Sequence, residues 1–212
     1  MMKRILSLLM ALITLSICLA SCESGPVQYE DIDFSRVDME KVSESEKETD
    51  YVIINVKDYG KIVIRLYPDV APETVKNFKK LVSQKFYDGI IFHRVIKNFM
   101  IQGGDPEGTG FGGSSEKIFG EFTSNGFENN LKHTRGVVSM ARRSDDNNSA
   151  SSQFFICHGD YEYGDGDYAA FGYVVAGMDV VDAIATTATN PANNRPLTPV
   201  VIETVRFAKV SK

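Results

Sequence analysis

The chain has 212 residues, 43% of them hydrophobic and 24% charged, with 17 Gly and 7 Pro. That balance fits a folded domain and excludes a fibrous or wholly disordered chain. A formal net charge of −5 excludes a general nucleic-acid binder, which needs a basic face for phosphates. The charge is unevenly spread: residues 23–50 carry ten acidic side chains against Arg36, Lys41 and Lys47, whereas the stretch from Tyr51 onward is balanced.

Lys3 and Arg4 precede an almost unbroken apolar run, Ile5 to Ala20, too short for a stable membrane span and shaped like a secretory signal. The run ends Leu19-Ala20-Ser21-Cys22, which resembles a bacterial lipobox. Residues 1–21 are therefore expected to be a lipoprotein signal peptide, with Cys22 acylated and the protein exported and held at a membrane of the bacterial cell envelope. The alternative is ordinary cleavage after a small residue, with Cys22 incidental. Residues 22–50, with Ser43-Glu44-Ser45-Glu46-Lys47-Glu48 and few apolar side chains, read as an acidic flexible tether; the alternative is an acidic segment for a basic partner. Cys157 would be the one cysteine besides Cys22 in the mature chain, so no intrachain disulfide is expected, and no pair has metal-ligand spacing.

From Tyr51 the chain reads as one domain, 51–212. Tyr51 to Val56 and Lys61 to Leu66 form a hairpin across Asp58-Tyr59-Gly60, with Ile62, Ile64 and Leu66 on one face. Pro72 starts a helix of about three turns, whose apolar side is Val75, Phe78, Leu81 and Val82. Short strands follow at Ile90 to Val95, Phe99 to Gln102, Gly136 to Ala141, Gln153 to Cys157, Ala170 to Val175 and Val200 to Phe207, and Met178 to Ile184 fits a second helix. Many short strands with two helices favour a mainly β fold, a barrel or sandwich with helices over its ends.

His93, His133 and His158 fall in separate segments without metal-ligand spacing, so no metal is expected. Ser139 or Ser152 with His93 and Asp105 lacks any nucleophile-elbow context, which speaks against a hydrolase. Gly103 to Gly113 matches a phosphate cradle in composition alone, lacking the Gly-Lys-Ser/Thr ending, and reads as a mobile loop.

Two blocks concentrate Phe, Met, Gln and Arg on short strands: Phe92 to Asp105, reading FHRVIKNFMIQGGD, and Ser149 to Cys157, reading SASSQFFIC. With Leu131 to Arg142 and Ala169 to Gly172 in the same order, the chain from about Tyr51 to its end closely resembles the cyclophilins, the peptidyl-prolyl cis-trans isomerases. The resemblance implies a closed eight-stranded antiparallel β-barrel capped by two α-helices, with a shallow groove on its outside. It implies Arg94 as catalytic, Gln102 as its support, Phe99, Met100 and Phe155 as the proline pocket, and Ala141, Arg142 and Gln153 as the rim for residues before the proline. Tyr163 stands where many members carry Trp, Gly164 at a usual Leu and Tyr168 at a usual His, so both tyrosines are expected to touch substrate. Gly164 is expected to leave the pocket shallower, and loss of the indole to weaken cyclosporin binding. No cofactor is implied, the partners are proline-containing segments of exported or unfolded proteins, and a monomer is expected. An X–Pro bond turns over a barrier of about 18–20 kcal/mol set by amide resonance. A guanidinium aimed at the proline nitrogen favours the twisted state, in which that nitrogen regains its lone pair. The rival reading is a membrane-tethered module that binds proline peptides with little turnover.

Overall fold

The computed structural model describes residues 25–211; the expected signal peptide, 1–21, and Cys22 lie outside them. Among the described residues nine strands form one sheet: β1 (Val42–Glu44), β2 (Tyr51–Val56), β3 (Gly60–Leu66), β4 (Arg94–Ile96), β5 (Met100–Gly103), β6 (Val137–Met140), β7 (Phe154–Cys157), β8 (Ala170–Ala176) and β9 (Ile202–Val210). The order across the sheet is β1-β9-β2-β3-β8-β6-β7-β5-β4, every neighbour antiparallel. Helices α1 (Pro72–Ser83) and α2 (Met178–Ala185) sit at the expected places, each presenting its apolar side chains to the core.

The sheet is not the closed eight-stranded barrel the resemblance implies. It holds nine strands, and its terminal strands, β1 and β4, do not pair. Ile90 to Phe92 was expected to lead β4, but it meets the chain before β9 through an isolated Ile91–Val201 bridge and bonds such as Phe92 N–H to Val200 O, 2.9 Å. The sheet therefore curls round without a continuous ladder across the seam.

Curling gives each strand an inner and an outer face. Val52, Ile54, Ile62, Ile64, Ile101, Phe154, Ile156 and Phe171 point inward and fill the interior with Phe78 and Tyr87. The inside is therefore packed core, and any groove must lie outside. α1 has no capping side chain of its own. Instead Glu121, buried in a distant loop, accepts from the backbone N–H of Glu73 (3.0 Å) and Thr74 (2.8 Å), satisfying two of the donors at the helix start.

The acidic segment expected as a free tether is instead an arm packed on the domain. β1 pairs with β9, and Val37 N–H donates to Val175 O at 3.0 Å. Phe34 sets its ring edge-on against Tyr173, 4.9 Å between centroids, and Ile32 is buried. Asp33 pairs with Arg65, and its carbonyl accepts from the Tyr67 hydroxyl at 2.7 Å. The reason lies in the strands beneath. Ile53, Val63, Val175 and Ala208 are apolar on the outer face, where a lone barrel would meet water, and Val37, Met39 and Val42 cover them. The charges that suggested a solvated spacer sit between these apolar contacts and face outward, as at Glu30, Asp38 and Glu40.

Deleting residues 25–45 is expected to lower unfolding free energy by about 3 kcal/mol or more, from the apolar side chains uncovered. Urea unfolding of the two forms measures it; an unchanged midpoint would restore the free-tether reading.

Candidate active site

The strand register places one row of outward side chains across the sheet. Ser139 on β6 stands opposite Phe155 on β7, Phe155 opposite Gln102 on β5, and Gln102 opposite Arg94 on β4. Neighbouring positions Val95, Ile101, Phe154 and Met140 point into the core, so a one-residue slip would bury the polar row and expose the core.

Along this row runs a relay of hydrogen bonds. Arg94 Nη1 donates to Gln102 Oε1 (3.2 Å), Gln102 Nε2 to Gln153 Oε1 (2.9 Å), and Gln153 Nε2 to the carbonyls of Gly110 (3.0 Å) and Gly112 (2.7 Å). Each amide uses its NH2 on the next acceptor, so each must turn its oxygen back toward the previous donor. The relay thus fixes which edge of Arg94 is occupied and leaves the rest of its fork facing the groove. Phe99 lies 5.7 Å from the Arg94 guanidinium carbon, a cation–π distance.

A groove of about 300 Å³ opens beside the row, with Arg94, Phe99, Met100, Gln102, Ala141, Arg142, Phe155 and Tyr168 among its walls. Phe155 is nearly buried; Tyr168 meets its ring edge-on at 5.7 Å and His133 lies parallel to it at 6.0 Å. Gln153 lines the adjoining depression with Ala141, Arg142 and Phe111. Arg142 is anchored through its side chain. Its guanidinium lies 5.0 Å from the Tyr168 ring and 5.1 Å from Phe122, and its Nε donates to Asp167 O, pinning the 165–168 loop to the rim.

Tyr163 does not join the groove. It is 90% exposed, and Tyr161, which the sequence reading passed over, lines the wall in its place, 4.6 Å from Phe99 between ring centroids. The cause is Gly164. A Cβ there would come within 2.5 Å of the Tyr161 ring, so the space of the usual Leu is taken by Tyr161 itself. The missing Leu therefore leaves no hollow, contrary to expectation, because an aromatic ring from three residues upstream fills it.

His133, also unassigned from sequence, is buried beneath this wall. Its Nδ1 meets Asp165 Oδ1 at 3.0 Å, and its Nε2 meets Ser139 Oγ at 2.9 Å. The order Ser–His–Asp imitates a hydrolase triad, yet Ser139 is fully buried within β6 and no substrate can reach it. Burial pushes the imidazole below its ordinary value against the pull of Asp165, so a neutral His133 braces Phe155 from behind. Asp105 holds the Gly-rich loop, accepting from the N–H of Glu107 (2.8 Å) and Gly110 (2.6 Å). Its carboxylate occupies amides that a phosphate would need, and with Gln153 it ties down a loop expected to be mobile. Gly104 makes the turn into that loop possible at φ +87°, where a Cβ would lie 2.3 Å from Ser152 O. Cys157 is buried, and burial pushes its thiol up to about 12. Among the described residues no group of three or more His, Cys, Asp or Glu is placed to hold a metal, and no helix is long and apolar enough to cross a membrane.

Replacing Gly164 by Leu is expected to destabilise the wild-type background by about 1–3 kcal/mol through overpacking against Tyr161. In a Tyr161→Ala background the same change should cost much less, and a double-mutant cycle of urea midpoints measures the coupling.

Comparison with known proteins agrees with this geometry. Residues 51–207 match the family described as cyclophilin type peptidyl-prolyl cis-trans isomerase/CLD. A peptidyl-prolyl cis-trans isomerase of Schizosaccharomyces pombe is 44% identical over 144 residues, covering 68% of this chain and 90% of the relative. Peptidyl-prolyl cis-trans isomerase-like 3 of Gallus gallus is 42% identical over 149 residues, covering 70% and 90%. The crystal structure of a cyclophilin type isomerase of Cryptosporidium parvum, obtained in the presence of the dipeptide Ala-Pro, superposes with a TM-score of 0.68 at 32% identity, covering 74% of this chain and 98% of that one. A cyclophilin of Hirschia baltica shares the fold, with a TM-score of 0.64 at 24% identity over 78% of this chain and 76% of that one. With a polar row on the outside of a curled sheet whose interior is filled, an apolar groove beside it and a family match over most of its length, this chain belongs to the cyclophilin-type peptidyl-prolyl cis-trans isomerases and is an enzyme of that activity.

Proposed function

We propose that the groove turns X–Pro bonds in exported or unfolded proteins, with Arg94 as the catalytic residue and a lipid on Cys22 holding the monomer to a membrane of a bacterial cell envelope. The observation that carries the catalytic assignment is the Arg94–Gln102–Gln153 relay, which holds one edge of the guanidinium still beside an apolar pocket. Phe99, Met100 and Phe155 take the proline ring, and Tyr161 and Tyr168 close the wall behind it. The free N–H groups of Arg94 reach the proline nitrogen as the amide twists and its lone pair returns. A positively charged donor bonds that pyramidal nitrogen better than the planar one, so it lowers the barrier without any covalent step. The apolar wall adds to this, since the planar amide's charge-separated resonance form is the one that loses most on leaving water. Ala141, Arg142 and Gln153 receive the residues before the proline as an extended strand.

Arg94→Ala is expected to lose about 2–4 kcal/mol of transition-state stabilisation, comparable to removing one donor from a preorganised site. Exchange NMR of a short X–Pro peptide measures it. Peptide binding without accelerated exchange in the parent chain would favour a binding module over a catalyst.

The anchor rests on the basic start, the apolar run and Leu19-Ala20-Ser21-Cys22. Because the arm is already packed at Ile32, and Val27 O accepts from Asn130 Nδ2 at 3.1 Å, the chain between Cys22 and Val27 spans at most about 18 Å. A lipid on Cys22 would therefore hold the domain close to the bilayer instead of letting it roam. In the full chain expressed in a bacterium, Cys22→Ser should move the protein from the membrane fraction to the soluble fraction. Membrane association that survives the change would refute the lipid anchor.

A further inference from the structure

The groove has a second end that the proline pocket does not use. Across the sheet, Ala141 and Arg142 follow β6 on one side, and β4 forms the edge on the other. A peptide whose leading residues lie at Ala141 and Arg142, with its X–Pro bond at Arg94, carries the residue after proline toward that edge and the loop beyond it. There His93, Gly108, Thr109, Gly110, Asn193 and Arg195 complete the wall.

His93 is the notable member. Its side chain is buried, the residue being 6% exposed, and both ring nitrogens lack a hydrogen-bond partner among the described residues. A buried polar group without a partner is costly and rare, and here it borders a groove made for a ligand. Beside it, Arg195 lines the groove and uses Nη1 on the Gly108 carbonyl at 2.6 Å, and among the described residues its other guanidinium donors carry no hydrogen bond or ion pair. Asn193 Oδ1 accepts from the Arg195 backbone N–H at 3.1 Å, which turns the Asn193 NH2 outward as a further donor. Asn194 O in turn accepts from Val95 N–H at 2.8 Å, so the loop is fixed to β4. The charged groups facing His93 are Asp105, Arg94 and Arg195. The Asp105 carboxylate keeps its charge while accepting from the amides of Glu107 and Gly110, so one negative group faces two arginines and this end is positive by one charge.

We propose that His93, Asn193 and Arg195 form a subsite for an acidic residue that follows the proline in the substrate. Arg195 and the Asn193 amide bind the side-chain carboxylate, an anion that suits a fork of free donors. His93 contributes to the wall at this end, both of its ring nitrogens being closed off from solvent. The subsite rests on the groove being where X–Pro bonds turn. It adds to the enzyme a preference for Pro-Glu and Pro-Asp over Pro-Lys.

Three peptides identical but for Glu, Gln or Lys after the proline test this, with isomerisation followed by exchange NMR in the intact mature chain. The parent should turn over the Glu peptide about tenfold more efficiently than the Lys peptide at low salt, with the gap narrowing as salt rises. Arg195→Gln should reduce that gap to about twofold or less. Arg195→Glu should reverse the order, favouring Lys. Loosening of the Gly108 contact in either variant would slow all three peptides alike, so a reversal reports recognition and not loop damage. Equal rates for the three peptides in the parent, or an unchanged order in Arg195→Glu, would overturn the subsite. No acceleration of any peptide would overturn the groove assignment, and the subsite with it.

Discussion

The site depends on the two-sidedness of a curled antiparallel sheet. Inside, Val52, Ile64, Ile101, Phe154 and Phe171 leave no room for a ligand. Chemistry is therefore confined to the outer face, and the register that sends those side chains inward sets Phe155, Gln102 and Arg94 in one outward row. Packing of the core and alignment of the site are one requirement, because period-two alternation couples the two faces of every strand. The relay from Arg94 to Gln153 then needs no special backbone; adjacent strands bring the side chains within reach.

The outer face also explains the arm. Away from the groove the sheet carries Ile53, Val63 and Val175 on its outside, and the acidic segment covers them with Val37, Met39 and Val42. Closer to the groove, Ile32, Phe34, Tyr67 and Tyr173 belong to the same outer apolar layer as Leu131, Cys157, Met100 and Phe155. The arm and the active-site wall are thus two ends of one packed layer. The arm's charges keep its exposed side soluble while a minority of apolar residues hold it in place.

Tyr161 and Gly164 illustrate how a wall can be rebuilt with different residues. The absence of a side chain at Gly164 admits the Tyr161 ring, which lies tilted against Phe99 and edge-on to His133. The chain contains no Trp, and the large apolar surface is supplied instead by tyrosines from two positions on the same loop, Tyr161 and Tyr168. Tyr163, for which the resemblance implied a place against the substrate, stands in water.

Much of this was legible in the residues alone. Both helices and most strands followed from periodicity and from Pro72 at a helix start, because these signals are local. Arg94, Gln102, Phe99, Met100 and Phe155 were singled out through the family resemblance that two unbroken motifs carry, and the folded chain lines one groove with all five. What tertiary structure decided is whatever depends on residues far apart meeting. The seam is a lone Ile91–Val201 bridge and not a ladder, which alternation within single strands could not reveal. The arm packs because a distant face needed covering, although its own composition reads as solvated. Even Tyr161, two residues from Tyr163, reached the groove through contacts with Phe99, His133 and Gly164 that no linear spacing records. Local sequence determines which faces are apolar; only the folded chain decides which of those faces cover one another, because burial is a property of pairs of surfaces.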